Sequence, residues 1–188
     1  WRTAAPFFHR YEIKPFYPTG VQPTPSSPPA PAVQSPRTTI LVTTAAQLNA
    51  LITVLEKAPL IALDTETHTL NPFRDGIIGI SCAVDAHTGY YVPFGHTTGE
   101  TQLPAAAVFN AFRPILESAT HAKLFHNAKF DSEGLAHHGI TVRGTIGDTL
   151  LMASLVRTGS ESIGLKALSL RYLHEEMTEF SEVVKGKQ

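Results

Sequence analysis

The stretch Leu60-Ile61-Ala62-Leu63-Asp64-Thr65-Glu66-Thr67 constrains this chain more than any other. Four apolar residues in a row, then two carboxylates spaced i and i+2, read as a strand buried on both faces that ends in acid. Side chains alternate along a strand, so Asp64 and Glu66 share one side and Thr65 takes the other. Two carboxylates at the end of an apolar strand repel each other unless a cation lies between them. Hard oxygen ligands in that arrangement suit Mg²⁺ or Mn²⁺. The competing reading of the same residues is a strand end that runs into a solvated acidic turn.

Several classes are excluded by composition. A chain of 188 residues can bury one full core. Its net charge of −1 argues against coating nucleic acid by bulk electrostatics, so any such partner is gripped locally, at a metal or by stacking. Cys82 is the only cysteine, which excludes a disulfide framework and a cysteine-rich zinc site. It lies in the apolar run Ile77 to Val84 and reads as a buried thiol. No stretch has the apolar length of a membrane helix, and no signal peptide is visible. The nine histidines read as surface groups, since His137-His138 closes a helix and no His-x₃-His pair joins a carboxylate in order. Neither a Walker loop nor a Gly-rich dinucleotide motif occurs. A start at Trp1 rather than Met suggests a piece of something longer.

Residues 1–37 read as lying outside the fold. Pro23, Pro25, Pro28, Pro29 and Pro31 are closely spaced among small polar residues, a composition that favours disordered or extended chain and cannot bury a core. This segment is expected to be a linker or the tail of a preceding domain. Order is expected from about Thr39. Ile40 to Val42 reads as a short strand, and Thr44 caps a helix through Lys57 with Leu48, Leu51, Ile52 and Leu55 on one face. After the acidic strand, Ile77 to Val84 and Tyr90 to Phe94 read as strands of an antiparallel meander. Then come a helix over Pro104 to Leu116, a strand over Ala122 to His126 and a helix over Asn127 to His138 that Gly139 stops. Ile140 to Val142 reads as a last strand, followed by helices over Asp148 to Val156 and Leu165 to Leu173. Strands followed by strand–helix alternation describe a mixed α/β sheet with helices on its faces.

A second acidic motif lies in Leu124-Phe125-His126-Asn127-Ala128-Lys129-Phe130-Asp131. Asn127 and Asp131, four apart at a helix start, are expected on one face, where Asp131 can add a third ligand to those of Asp64 and Glu66. Phe130 sits on a neighbouring face, able to stack on a base or to pack in the core. Taken alone, an asparagine at the position of Asn127 is more often a helix cap than a substrate contact.

Together, Asp64-Thr65-Glu66 with Leu70, and Asn127-Ala128-Lys129-Phe130-Asp131, resemble the first two motifs of the 3′–5′ exonuclease (proofreading) domain of family A DNA polymerases. That family belongs to the DEDD, or DnaQ-like, exonucleases. The resemblance runs on through Gly147-Asp148-Thr149-Leu150-Leu151, Gly164-Leu165-Lys166-Ala167-Leu168 and Lys185-Gly186-Lys187, and covers about residues 38–188. It implies an α/β, ribonuclease H-like mixed five-stranded sheet flanked by helices. It further implies removal of nucleotides from single-stranded DNA 3′ ends, a following C-terminal polymerase domain as partner, no membrane, and a cytoplasmic or nucleoid setting in a bacterium or phage. Two ions, Mg²⁺ or Mn²⁺, would stand roughly 4 Å apart. By the same resemblance Asp64 bridges both, Glu66 holds the one that activates water, and Asp131 ligates the other. Leu70 resembles a wedge between the last bases. Thr65, His126, Asn127, Phe130 and Phe180 match positions at or beside the terminal nucleotides. Asp148 matches an aspartate outside the metal set and reads as a structural cap.

The chain departs from the family at its end. The third motif, Tyr-x-x-x-Asp, lies in relatives beyond the segment matching Lys185-Gly186-Lys187, and Glu179 and Glu182 have no tyrosine three or four residues ahead. The loop Thr158 to Ser162 also lacks an arginine that some relatives carry. The site is therefore expected to be incomplete in this chain and its nuclease activity weak. Two other readings compete: a single-stranded DNA-binding or scaffold remnant without catalysis, and an RNase D-like exoribonuclease. Three retained acids disfavour a scaffold, because their mutual repulsion costs stability without metal.

Overall fold

The acid-ended stretch forms an interior strand of a six-stranded mixed sheet. The computed structural model describes residues 37–69, 71, 76–97, 99–156 and 161–177. The strands are β1 (Thr38–Leu41), β2 (Leu60–Thr67), β3 (Ile77–Ala83), β4 (Thr88–Pro93), β5 (Ala122–Phe125) and β6 (Ile146–Asp148), in the order β1-β4-β3-β2-β5-β6. β2, β3 and β4 form the expected antiparallel meander, whereas β5 pairs parallel to β2 and β6 parallel to β5. The count is six rather than five because β1 also joins, parallel to β4 at the edge.

One face of this sheet carries the core. On β2, Ile61, Leu63 and Thr65 are buried, while Ala62 is half-buried and Asp64 and Glu66 are exposed. The strand is thus covered on one face only, not two; an antiparallel neighbour such as β3 is compatible with one wet face. Leu63 pairs with Cys82, and Thr65 with Ile80, which in turn meets Val92. Burial pushes the Cys82 thiol up to about 12, so it packs as a small hydrophobe.

Helix α1 (Ala45–Lys57) starts at Thr44 with a reciprocal capping box to Gln47, and buries Leu48, Leu51 and Leu55 at the expected spacing. Helix α2 (Ala105–Leu116) buries Val108, Phe109, Phe112, Ile115 and Leu116 in the same core, and ends two residues past Pro114. Helix α3 (Ala128–His137) follows β5 directly, and Gly139 ends the segment at φ 71°, a left-handed conformation that costs glycine little.

The expected strand at Ile140 to Val142 is not formed. Ile140 is fully buried, and its amide returns to the Leu135 carbonyl, while Arg143 N–H donates to Leu116 O. This short apolar run is the plug that closes the helix end, and the strand comes later, at β6. Lys123 on β5 is also fully buried. Its Nζ donates to the carbonyls of Ser118 (2.8 Å), His121 (3.0 Å) and Arg143 (2.8 Å), tying the loop before β5 to the loop before β6.

The described residues up to Thr149 form one unit, and the described residues from Leu150 onward belong to another. Helix α4 (Thr149–Val156) leads into the second unit. There α5 (Leu165–Leu168) widens into a π-type turn over Ser169–Leu173 where one helix was expected, and Arg171 pairs with Glu161. Among the described residues no helix is long and apolar enough to cross a membrane.

Candidate active site

The end of β2 is where the sheet opens a gap. β5 pairs with β2 only as far as Ala62↔Leu124, so the Thr65 N–H on that edge has no strand partner. Asp131 on the first turn of α3 takes that place. Its Oδ1 accepts from the Thr65 amide at 2.8 Å and from the Thr65 hydroxyl at 2.8 Å. Two residues 66 positions apart are thereby locked together. Asp131 is 1% exposed; burial pushes its carboxyl up, and the two bonds from Thr65 pull it back down.

Asp64 and Glu66 project from the other face of β2, opposite Ser81 and Gly79 of β3. Burial first, then the charges of Asp131 and Glu66, push the Asp64 carboxyl up to about 7, against a pull from the Thr65 amide. Asp64 still has an open side to solvent, which is the geometry of a group crowded by protein yet reachable by a small cation. Among the described residues no three His, Cys, Asp or Glu side chains stand close enough to make a finished metal cage. Asp64, Glu66 and Asp131 supply hard carboxylate oxygens. That donor set fits a divalent ion of the Mg²⁺ or Mn²⁺ kind.

A pH dependence follows. A carboxyl whose folded pKa lies above its unfolded value binds its proton more tightly when folded, so stability falls as pH rises from about 4 to about 7 and levels off above. Because water screens the open side of Asp64, the effect is about 1 kcal/mol rather than the full shift, or about 2–4 °C. In chelator, the melting temperature is expected to drop by that amount across this interval, and Asp64→Asn is expected to flatten the profile. A profile that is the same in the variant excludes Asp64 as the crowded group.

The β5–α3 junction carries the second cluster. Asp148, at the end of β6, accepts from the Asn127 amide at 3.0 Å and the Ala128 amide at 2.8 Å, and so caps α3 as the sequence suggested. Asn127 does not serve as a side-chain cap. It lies outside the helix at φ 73°, a left-handed conformation that asparagine tolerates better than most residues, with its side chain exposed. The expectation that Asn127 and Asp131 share a helix face is therefore corrected, because Asn127 is not in the helix. Phe130 is half-buried and stands outside the core cluster. The His126 Nδ1 is 2.8 Å from the Thr149 hydroxyl; burial pushes its imidazole down, with Asp148 pulling it back up. Leu70, Phe180, Glu179, Glu182 and Lys185-Gly186-Lys187 lie outside the described residues.

Thr65, expected at the nucleic acid, has its side chain turned inward onto Asp131 instead. Strand alternation had already placed it opposite the acids; only the approach of α3 shows what it holds. Tyr91 was not singled out in the sequence, where Tyr90-Tyr91 reads as ordinary strand. It stands on the acid-bearing face, opposite Ser81.

Residues 39–188 match the 3′–5′ exonuclease family model of the DNA polymerase A type. The chain belongs to this 3′–5′ exonuclease family. It is 38% identical over 147 residues to DNA polymerase I of Chloroflexus aurantiacus, covering 77% of this chain and 15% of that protein. The chain thus spans a small fraction of the length of such relatives. Among solved structures, the POL domain of Pol1 from M. smegmatis, in complex with DNA primer-template and dNTP, superposes with a TM-score of 0.58 at 25% identity. That match covers 73% of this chain and 23% of the other. Escherichia coli RNase D, an exoribonuclease involved in structured RNA processing, has a TM-score of 0.58 at 18% identity, over 79% of this chain and 36% of its own. It shares the ribonuclease H-like fold. Exonucleases of this family generally depend on divalent metal ions.

Proposed function

We propose that residues 38–188 form a two-metal-ion exonuclease domain that removes nucleotides from single-stranded DNA 3′ ends, as the proofreading part of a DNA polymerase I-like protein. Residues 1–37 would be a linker or the tail of a preceding domain, and a C-terminal polymerase domain the partner in the parent protein. The observation that carries this reading is that β2 sets two like-charged carboxylates, Asp64 and Glu66, on one face, while Thr65 between them fixes a third, Asp131. A scaffold gains nothing from such repulsion. A relative at 38% identity is a DNA polymerase I, which favours DNA over the RNA reading.

Asp64, Glu66 and Asp131 would hold the ions, which when bound supply an activated water and stabilise the attacking and leaving oxygens of an in-line displacement. Thr65 fixes Asp131 so that its second oxygen is aimed without rotamer freedom. Asp148 fixes the turn at Asn127, which leaves the exposed amide side chain to contact the terminal nucleotide. Phe130 would stack on a base, and Leu70 and Phe180 would contact the strand further along.

The test is digestion of 5′-labelled single strands in Mn²⁺ by this chain and by one extended through a downstream Tyr-x-x-x-Asp. The expected products shorten from the 3′ end, slowly for the present chain and faster for the longer one. Preferential cutting of RNA, or binding of DNA without cutting by either chain, overturns the reading.

Phe130 provides a separate check. Stacking is worth about 1–3 kcal/mol per base, so Phe130→Ala is expected to weaken binding of an oligodeoxynucleotide by about tenfold and leave Mn²⁺ affinity unchanged. A large drop in melting temperature, with both affinities falling together, would return Phe130 to a packing role.

A further inference from the structure

The acid-bearing face holds a second polar assembly beside Glu66. Along the sheet, Asp64 lies opposite Ser81 and Ser81 opposite Tyr91, while Glu66 lies opposite Gly79 and Gly79 opposite Pro93. Tyr91 therefore projects from the same face as both acids, two strands away. Its ring does not stand upright there. A Cβ built on Gly79 would lie 2.6 Å from Tyr91 Cζ and 2.7 Å from Cε2, so the ring lies diagonally over the bare glycine, toward the strand that carries Glu66. Only a residue without a side chain leaves that path open.

The far end of the ring is pinned. The Tyr91 hydroxyl is hydrogen-bonded to His96 Nε2, and the two rings meet edge-to-face with centroids 5.9 Å apart. His96 is itself clamped through its backbone: its N–H donates to Gln102 Oε1 at 2.8 Å, and Gln102 Nε2 donates to its carbonyl at 2.8 Å. Neither Tyr91 nor His96 belongs to the buried core, so core packing does not account for this ordering. Burial, and then the Glu66 charge, push the Tyr91 phenol up to about 12; the phenol keeps its proton and lies within the field of that carboxylate.

We propose that Tyr91, pinned by His96 and laid over Gly79, is a positioning residue that confines the Glu66 carboxylate to the Asp64 side and so raises the affinity of the site for a divalent ion. This rests on the reading of Glu66 as a metal ligand. Partners of metal ligands are typically worth 10–100-fold in affinity.

The test is Mn²⁺ titration of the full chain, with melting temperature followed alongside. Tyr91→Phe keeps the ring and loses the hydroxyl; it is expected to weaken Mn²⁺ binding by roughly tenfold with little change in melting temperature. His96→Leu should do the same, and His96→Gln, which can still bond the hydroxyl, should restore most of the affinity. In a Glu66→Gln background, Tyr91→Phe should cost nothing further. Unchanged affinity in Tyr91→Phe, or an equal loss with and without Glu66, overturns the proposal while Asp64→Ala still abolishes binding. If the parent chain binds no Mn²⁺, or Asp64→Ala binds it as well as the parent, the metal reading fails and this inference falls with it.

Discussion

Replacing Asp64 by Ala is expected to abolish tight Mn²⁺ binding by this chain without unfolding it. Asp64 is the acid on which the other two act: burial, Asp131 and Glu66 together hold its carboxyl near 7. Removing it would take the central oxygen donor from the proposed site, and the two remaining acids, one of them committed through Oδ1 to Thr65, would be a poor chelate. The same change relieves like-charge repulsion, so in chelator at pH 8 the variant should melt at or above the temperature of the parent. In a chain that cuts DNA, the rate should fall by roughly a thousandfold or more, since charge stabilisation of several kcal/mol is lost with the metal. Calorimetry showing the parent's metal affinity in the variant would remove the proposed site. A collapse of the fold would instead mean that Asp64 is a structural residue.

The second large effect lies far from the acids. Lys123→Met keeps the apolar stem of a fully buried side chain but leaves the carbonyls of Ser118, His121 and Arg143 without their shared donor. Burial pushes this ammonium down, which the three carbonyls offset by solvating the charge. Loss of hydrogen bonds to a charged group, with acceptors left unpaired, should cost about 3 kcal/mol and about 10 °C in melting temperature. The loops before β5 and β6 should then exchange their amide hydrogens faster than the β2–β4 meander. A variant as stable as the parent would show that water replaces the ammonium at no cost.

Much of the fold is legible along the chain because its causes are local. The capping box at Thr44, the 3.6-residue spacing of Leu48, Leu51 and Leu55, and the left-handed stop at Gly139 each depend on neighbours within a few positions. The strand period puts Asp64 and Glu66 on one face whatever surrounds them. Family motifs add the assignment of Asp131 and Asp148, and the Asp148 carboxylate does cap α3. Ile140 to Val142 has the composition of a strand, yet its fate depends on whether a ladder partner is within reach, and the Leu135 carbonyl captures Ile140 first.

Local pattern alone determined that Asp64 and Glu66 share one face of β2. Tertiary structure decided how Asp131 is held. Whether Thr65 faces solvent or Asp131 depends on where β5 stops pairing with β2, a question about the edge of a sheet and not about any window of sequence. The same is true of Tyr91, whose ring lies over β3 only because Gly79 there offers no side chain to block it. Hydrogen bonds and close approaches between residues tens of positions apart are set by register and chain crossing, and periodicity carries no record of either.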